Sequence, residues 1–354
     1  MLGFNNRAGG VYGGTWDGGR RSDSAVLQSS GAPVTLASLT VRGSAHHGIA
    51  GYRSASLTLS DVNVVGSSAD GVHVDQGSRL TASRLSSVRN RINGVQVSGG
   101  STAQIAGSRL NENGQAVSGS TTGKSGHGLG IAHSSVQVSG SDLSSNRVCG
   151  MSLASGARAE VTTSSLNDNG RHGVGTVAGV RLTLTDTVLL GNHYNGILAT
   201  GSQTKAVIAG VTVRDSAQYG ISVPEKASVT LSTTTIARSK KINLAASKAA
   251  RVELGAGNTI TSSRGTHGIA IAGKARLSVT GTGNMISSNA GNGILVSDRS
   301  SYADIAQPIA VTNNRQNGLY VRNHARARLV TSNFSGNTGK AVRTAGGAKV
   351  YRVR

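Results

Sequence analysis

Two groups of residues carry the side chains that acid–base chemistry needs. The first is His47, Tyr52, Arg53, Asp70, His73 and Asp75; the second is Arg171, His172, His193, Tyr194, Asn195 and Tyr219. Histidine exchanges a proton near neutral pH, a phenol donates one, and a guanidinium neutralises a carboxylate. The first group alone combines acids, a base and a phenol. It is therefore the expected centre, with His73, Tyr52, Asp70 and Asp75 as the reacting side chains and His127 beside them. Arg53, His47, Asn93 and Gln96 are expected to bind substrate around it, and Arg171, His172, His193 and Tyr194 to extend that surface. No metal or cofactor is expected. Asp70 and Asp75 are the one pair to weigh for Ca²⁺, and two carboxylates are few for that ion. Cys149 stands between His127 and His172 in one repeat position, but residues two strand spacings apart are too distant for one tetrahedral zinc.

These residues are far apart in sequence, so a repeating framework has to gather them. A small residue followed by aliphatic-x-aliphatic recurs at Gly48, Gly71, Gly94, Gly128, Gly150, Gly173, Gly196, Gly220, Lys241, Gly268, Gly293 and Gly318. The steps are 23, 23, 34, 22, 23, 23, 24, 21, 27, 25 and 25; the 34 fits one repeat plus an insertion within 111–125. Stepping one period outward gives Ala25-Val26 and Ala341-Val342, hence 13–14 units. A second apolar pair follows nine and eleven places after each anchor, as in Leu57/Leu59, Leu80/Ala82 and Ala103/Ile105. Alternation at period two means strands with one buried face. With 50 glycines and 3 prolines in 354 residues and segments this short, helices are excluded. Each unit is one coil whose strands pair in parallel with their copies in neighbouring coils.

A third column stands four residues before the anchor: Asn90, Asn146, Asn169, Asn192, Asn289 and Asn314. Asparagine tolerates the left-handed backbone of a sharp corner, and its amide can bond to the next coil. An asparagine ladder of this kind resembles the right-handed parallel β-helices of the pectin-lyase-like superfamily. The resemblance implies an all-β, single-domain right-handed solenoid over residues 1–354, with 1–24 an irregular start or first coil. The column immediately before the anchor (His47, Asp70, Asn93, His127, Cys149, His172, Asn195, Tyr219, Lys240, His267, Asn292, Asn317) flanks an inward aliphatic and is expected at a corner or facing outward.

The succession Gly13-Gly14-Thr15-Trp16-Asp17-Gly18, Leu39-Thr40-Val41, Ala69-Asp70-Gly71-Val72-His73-Val74 and Gly126-His127-Gly128 resembles polygalacturonase-type glycoside hydrolases. Asp70 and His127 would match that family's aspartate and histidine. Its paired aspartates are replaced by Ile92-Asn93-Gly94, whereas an inverting hydrolase needs both an acid and a base. A lyase or C5 epimerase of uronate polymers needs a carboxylate-neutralising group, a base for the C5 proton and an acid, which Arg, His and Tyr supply. That enzyme is the leading expectation. The alternatives are a non-catalytic polysaccharide-binding adhesin or phage-spike-like β-helix, and a polygalacturonase-like hydrolase.

The net charge of +21 favours a polyanionic partner. Residues 1–180 carry 14 basic and 9 acidic groups, net +5, and residues 181–354 carry 22 and 6, net +16. Arg79, Arg158, Arg181, Arg276 and Arg326 share one repeat position, a stripe suited to an anionic polysaccharide. No nucleic-acid-reading motif is present, and no apolar run reaches membrane-spanning length. No signal peptide is legible at Met1 to Gly10, and one reading of the glycine-rich start is a missing leader and cap. The polysaccharide partner carries the expectation of a secreted or cell-surface protein.

Overall fold

The computed structural model describes residues 2–5, 7–19, 27–114 and 125–353, and every regular element among them is a β-strand. None of the described segments is a helix long and apolar enough to cross a membrane. The protein is an all-β, right-handed parallel β-helix, as the repeat requires. Its chain divides into two compact units, Met1–Val174 and Gly175–Arg354.

In the first unit each coil contributes strands to parallel sheets. One coil supplies Val72–Val74 to the first sheet, Arg79–Ser83 to the second and Ser86–Val88 to the third. Val72 stands opposite Ile49 on one side and Val95 on the other; Leu80 stands between Leu57 and Ala103. The alternating residues Val72, Val74, Leu80 and Ala82 point into the core. Burying one such Val or Leu contributes roughly 1.5–3 kcal/mol, which is why the period-two pattern fixes the register. The residues before 20 form strands too, Leu2–Asn5, Gly9–Tyr12 and Thr15–Asp17. The projected anchor Ala25-Val26 and most of the 111–125 insertion lie outside the described residues. Leu27 pairs with Ile49, a step of 22. The flanks of the insertion, Gly114 and Gly126, meet so closely that a Cβ on Gly114 would lie 2.5 Å from the Gly126 Cα.

The second unit repeats the arrangement, with first-sheet strands such as Tyr219–Val223, Ile242–Ala246 and Ile269–Ile271. Here the reading of one anchor needs correction. Ile221 pairs with Leu244 and Leu244 with Ile269, so Asn243, not Lys241, holds the anchor position. The pair Lys241-Ile242 imitates the anchor phrase two residues early.

The asparagine column is a ladder, but its conformational basis differs from the expectation. The left-handed residue is the one before each asparagine: Arg89 at φ 53°, Ser145 at 57° and Asp168 at 51° in the first unit, Ser288 at 55° and Asn313 at 55° in the second. The asparagine itself turns inward. Asn90 Nδ2 donates to Asn113 Oδ1 at 3.0 Å, Asn113 to Asn146 at 3.1 Å, and Asn146 to Asn169 at 3.2 Å. In the second unit Asn289 donates to Asn314 and Asn314 to Asn337, each at 2.9 Å. Asn113 and Asn337 are members the fixed offset missed in one case and stopped short of in the other.

Candidate functional site

The column before the anchor, expected at a corner or facing outward, forms a second ladder at the corner. Most of its members are buried, His47 at 8% exposed and Asp70 at 4% among them, whereas Tyr219 and His267 are half-buried and Lys240 is exposed. In the first unit His47 Nδ1 faces the Asp70 amide at 3.3 Å, Asp70 Oδ1 accepts the Asn93 amide at 3.1 Å, and Asn93 Oδ1 accepts the His127 amide at 3.0 Å. In the second unit Asn195 Oδ1 accepts the Tyr219 amide at 3.2 Å, His267 Nδ1 the Asn292 amide at 3.2 Å, and Asn292 Oδ1 the Asn317 amide at 3.0 Å. What these residue types share is a short side chain with an acceptor. Each satisfies a corner N–H that would otherwise be buried and unpaired.

Asp70 is the one carboxylate in this ladder, and so has an oxygen to spare. Oδ2 lies 2.9 Å from His73 Nδ1, three residues on along the strand. Burial pushes the Asp70 carboxyl up, but hydrogen bonding from His47 and His73 outweighs it and holds the group at about 2. Ionised Asp70 can only accept, so His73 donates from Nδ1, and the neutral ring carries its lone pair on Nε2. His47 Nδ1 is 3.3 Å from both the Asp70 amide and Oδ2. One nitrogen cannot accept from the first and donate to the second. Burial lowers the His47 pKa, against the raising effect of its contact with Asp70. The His47 ring stacks on that of His73 with centroids 4.2 Å apart.

Tyr52 closes the group, its ring centroid 5.7 Å from that of His73. Burial raises its pKa, and Asp75 and Asp70 raise it further, so the phenol keeps its proton at neutral pH. On the other side of His73, Gln96 stands in register and accepts from Asn93 Nδ2 at 3.1 Å, copying the Asp70–His73 spacing. Gly130 follows in register, and a Cβ there would lie 2.1 Å from Gln96 Oε1, so glycine makes room for the amide. Asp75 turns away, its Oδ1 accepting the Gln76 amide at 2.8 Å. Arg53 is exposed in the turn that follows Tyr52, at φ 53°. His127 is buried one coil beyond Asn93.

The second sequence cluster is distributed over both units. In the first, Arg171 is exposed while His172 is buried in the ladder, where burial lowers it to about 4. In the second, His193 is exposed, Tyr194 is 44% exposed, and Asn195 is a ladder member.

Ligand atoms of His47, Asp70 and His73 lie within 4.8 Å of one another. Two imidazoles and one carboxylate suit a transition metal better than Ca²⁺, which takes oxygen ligands. An ion here would have to displace the Asp70–His73 hydrogen bond and the Asp70 amide contact. Asp70 and Asp75 do not converge as a Ca²⁺ pair, since Asp75 is engaged by its own turn.

The chain belongs to the family described as right handed beta helix region, which matches residues 19–166 and 172–326. No curated protein matches it in sequence. Among solved structures, it is similar to a variant of the periplasmic alginate epimerase AlgG, with TM-score 0.50 and 11% identity over 86% of this chain and 78% of that one. Two others are pectate lyase Pel9A (TM-score 0.48, 13% identity, 80% and 70% covered) and the Azotobacter vinelandii mannuronan C-5 epimerase AlgE4 A-module (0.46, 12%, 90% and 90%). At these identities the likeness speaks of fold.

Proposed function

We propose that the protein is an enzyme acting on an acidic, uronate-containing polysaccharide, and that His73 removes the proton at C5 of the sugar. The observation that carries this is the Asp70–His73 pair at 2.9 Å with the protonated Tyr52 ring beside it. Asp70 holds the imidazole so that Nε2 is the basic nitrogen, the orienting role a buried carboxylate plays for a general base. The C5–H electrons pass to the adjacent carboxylate carbon, and the proton goes to Nε2. Gln96 and Arg53 would receive the sugar carboxylate as charge builds there, with Asn93 steadying Gln96 through its Nδ2. Tyr52 then gives up its phenolic proton. Delivered to the C4 oxygen as the C4–O bond breaks, it completes β-elimination; delivered to the opposite face of C5, it completes epimerisation.

Hydrolysis on the polygalacturonase plan is less well supported. Asn93, where that plan needs carboxylates, is committed to the ladder, and Asp75 is held by its turn. A polysaccharide substrate would place the protein outside the cytoplasm, as AlgG is periplasmic.

Incubation of the protein with polygalacturonate and with polymannuronate tests the reading. Ultraviolet absorbance of unsaturated ends identifies elimination, and inverted C5 configuration in proton NMR without cleavage identifies epimerisation. Either should fall at least tenfold in His73→Ala and in Tyr52→Phe, with unchanged circular dichroism. New reducing ends without absorbance would assign hydrolysis instead. Binding with no chemistry, or wild-type rates in both variants, would remove His73 and Tyr52 from catalysis.

A further inference from the structure

The second unit carries a feature that the His73 site does not use. Its second sheet places Arg181, Lys205, Arg251, Arg276, Arg326 and Lys349 at one repeat position, interrupted only by Ser228 and Tyr302. In-register strands are about 4.8 Å apart, so these side chains form a row whose successive charges are one or two strand spacings apart. At its C-terminal end the row runs into a cleft of about 880 Å³, lined by Arg276, Arg299, Tyr302, Arg326, Lys349 and Tyr351 among others, with no acidic residue in the lining.

Four other cations in this unit are paired with acids. Arg238 and Arg264 share Asp215, Lys248 pairs with Glu225, and Arg328 pairs with Asp304. Among the described residues Arg276, Arg299, Arg326 and Lys349 make no such pair, although all four are exposed. A line of like charges held open at strand spacing is unfavourable by itself and becomes favourable when a linear polyanion lies along it.

We propose that this face is a non-catalytic binding surface for an extended carboxylated polysaccharide. The row would take successive carboxylates as charge-assisted hydrogen bonds, bidentately at the guanidinium groups. Tyr302, half-buried between Arg276 and Arg326, offers an apolar ring face to a sugar. A single-stranded nucleic acid fits less well, because it needs an aromatic platform for successive bases and the cleft lining holds only Tyr302 and Tyr351. A duplex presents helically arranged phosphates to a straight row.

The test uses the full chain and a fluorescently labelled oligogalacturonate, with a single-stranded oligothymidylate of equal charge as competitor, at one fixed salt concentration. The row variant Arg276→Gln/Arg326→Gln/Lys349→Gln should weaken binding of the oligogalacturonate at least tenfold. The corner variant Lys240→Gln/Arg315→Gln/Lys340→Gln, which removes the same charge from exposed positions off this sheet, should weaken it less than threefold. Equal losses in the two variants would reduce the effect to net charge, and undiminished binding by the row variant would also overturn the proposal. Tighter binding of the oligothymidylate would reassign the face to nucleic acid. His73→Ala should leave the row's affinity unchanged. A protein that binds through the row but converts no polyuronate would sink the catalytic reading alone.

Discussion

The carboxylate of Asp70 holds His73 through one oxygen: Oδ2 lies 2.9 Å from Nδ1, while Oδ1 accepts the amide of Asn93 at 3.1 Å. One side chain therefore does structural and chemical work with separate atoms, and substitutions can divide the two. Asp70→Asn keeps an oxygen for the Asn93 amide, as Asn93 itself does for His127. It presents an NH₂ group to His73, which must then accept at Nδ1 and carry its proton on Nε2. Turnover should drop at least tenfold with stability changed by about 1 kcal/mol or less, and ¹⁵N chemical shifts of the His73 ring should report the tautomer change. Asp70→Ala should lose activity and also about 1–3 kcal/mol of stability, because the Asn93 N–H is left buried without a partner. Equal stability of the two variants in urea unfolding would contradict this division.

The same geometry predicts independence from metal. The spare oxygen of Asp70 is occupied by an N–H, and Asp75 is tied to its turn. Dialysis against EDTA should leave the rate on polyuronate within twofold, and added Ca²⁺ or Zn²⁺ should not raise it. A chelator-sensitive rate restored by one ion would mean that His47, Asp70 and His73 are metal ligands instead.

Acid should unfold the protein in two stages. Burial lowers His172 and His267 to about 4 from 6.5, and lowers His47 as well. The folded state then binds these protons more weakly than the unfolded chain, so the stabilisation is complete above pH 6.5 and is lost as pH falls toward 4. The loss is on the order of 3 kcal/mol for buried His172 and smaller for half-buried His267. Asp70, held at about 2 against 3.8, contributes stability that is present above pH 3.8 and lost as pH falls toward 2. Denaturant midpoints measured from pH 8 to 3 should decline through the first window. His267→Asn, which keeps an acceptor of the kind used at Asn292, should shallow the decline; an unaltered slope would show that His267 is not among its sources.

The period, the inward pairs and the asparagine column were legible because each repeats one chemical type at one offset. Leu57, Leu80 and Ala103 declare themselves by spacing alone. The second ladder was not legible in this way. His47, Asp70, Asn93 and Cys149 look unrelated until the corner backbone shows that each meets an amide from the next coil, so a structural column resembled a reactive one. What the ladder does not require, the imidazole of His73 and the phenol of Tyr52, stands out by residue type, and the two rings lie 5.7 Å apart. The direction of Asp75 depended on its own turn, and the offset at Asn243 on a substitution elsewhere.

That substitution makes the last prediction. In the second unit Ser239 and Ser263 stand where the ladder elsewhere has asparagine, leaving a gap below Asn289. Asn243 fills it: its Oδ1 accepts the Ser239 amide at 3.2 Å, and its Nδ2 donates to Asn289 Oδ1 at 3.1 Å and to the Thr261 carbonyl at 2.7 Å. Glycine occupies the equivalent place at Gly220 and Gly268. Asn243→Gly should nevertheless cost about 3 kcal/mol, since buried groups lose their partners. Ser263→Asn alone should also destabilise, because its amide would enter space that Asn243 already fills. The two together should recover at least half of the summed loss, since an asparagine at 263 restores the regular rung that joins Asn289. A double-mutant cycle in urea measures this coupling, and simple additivity would show that Asn243 does not substitute for the missing rung.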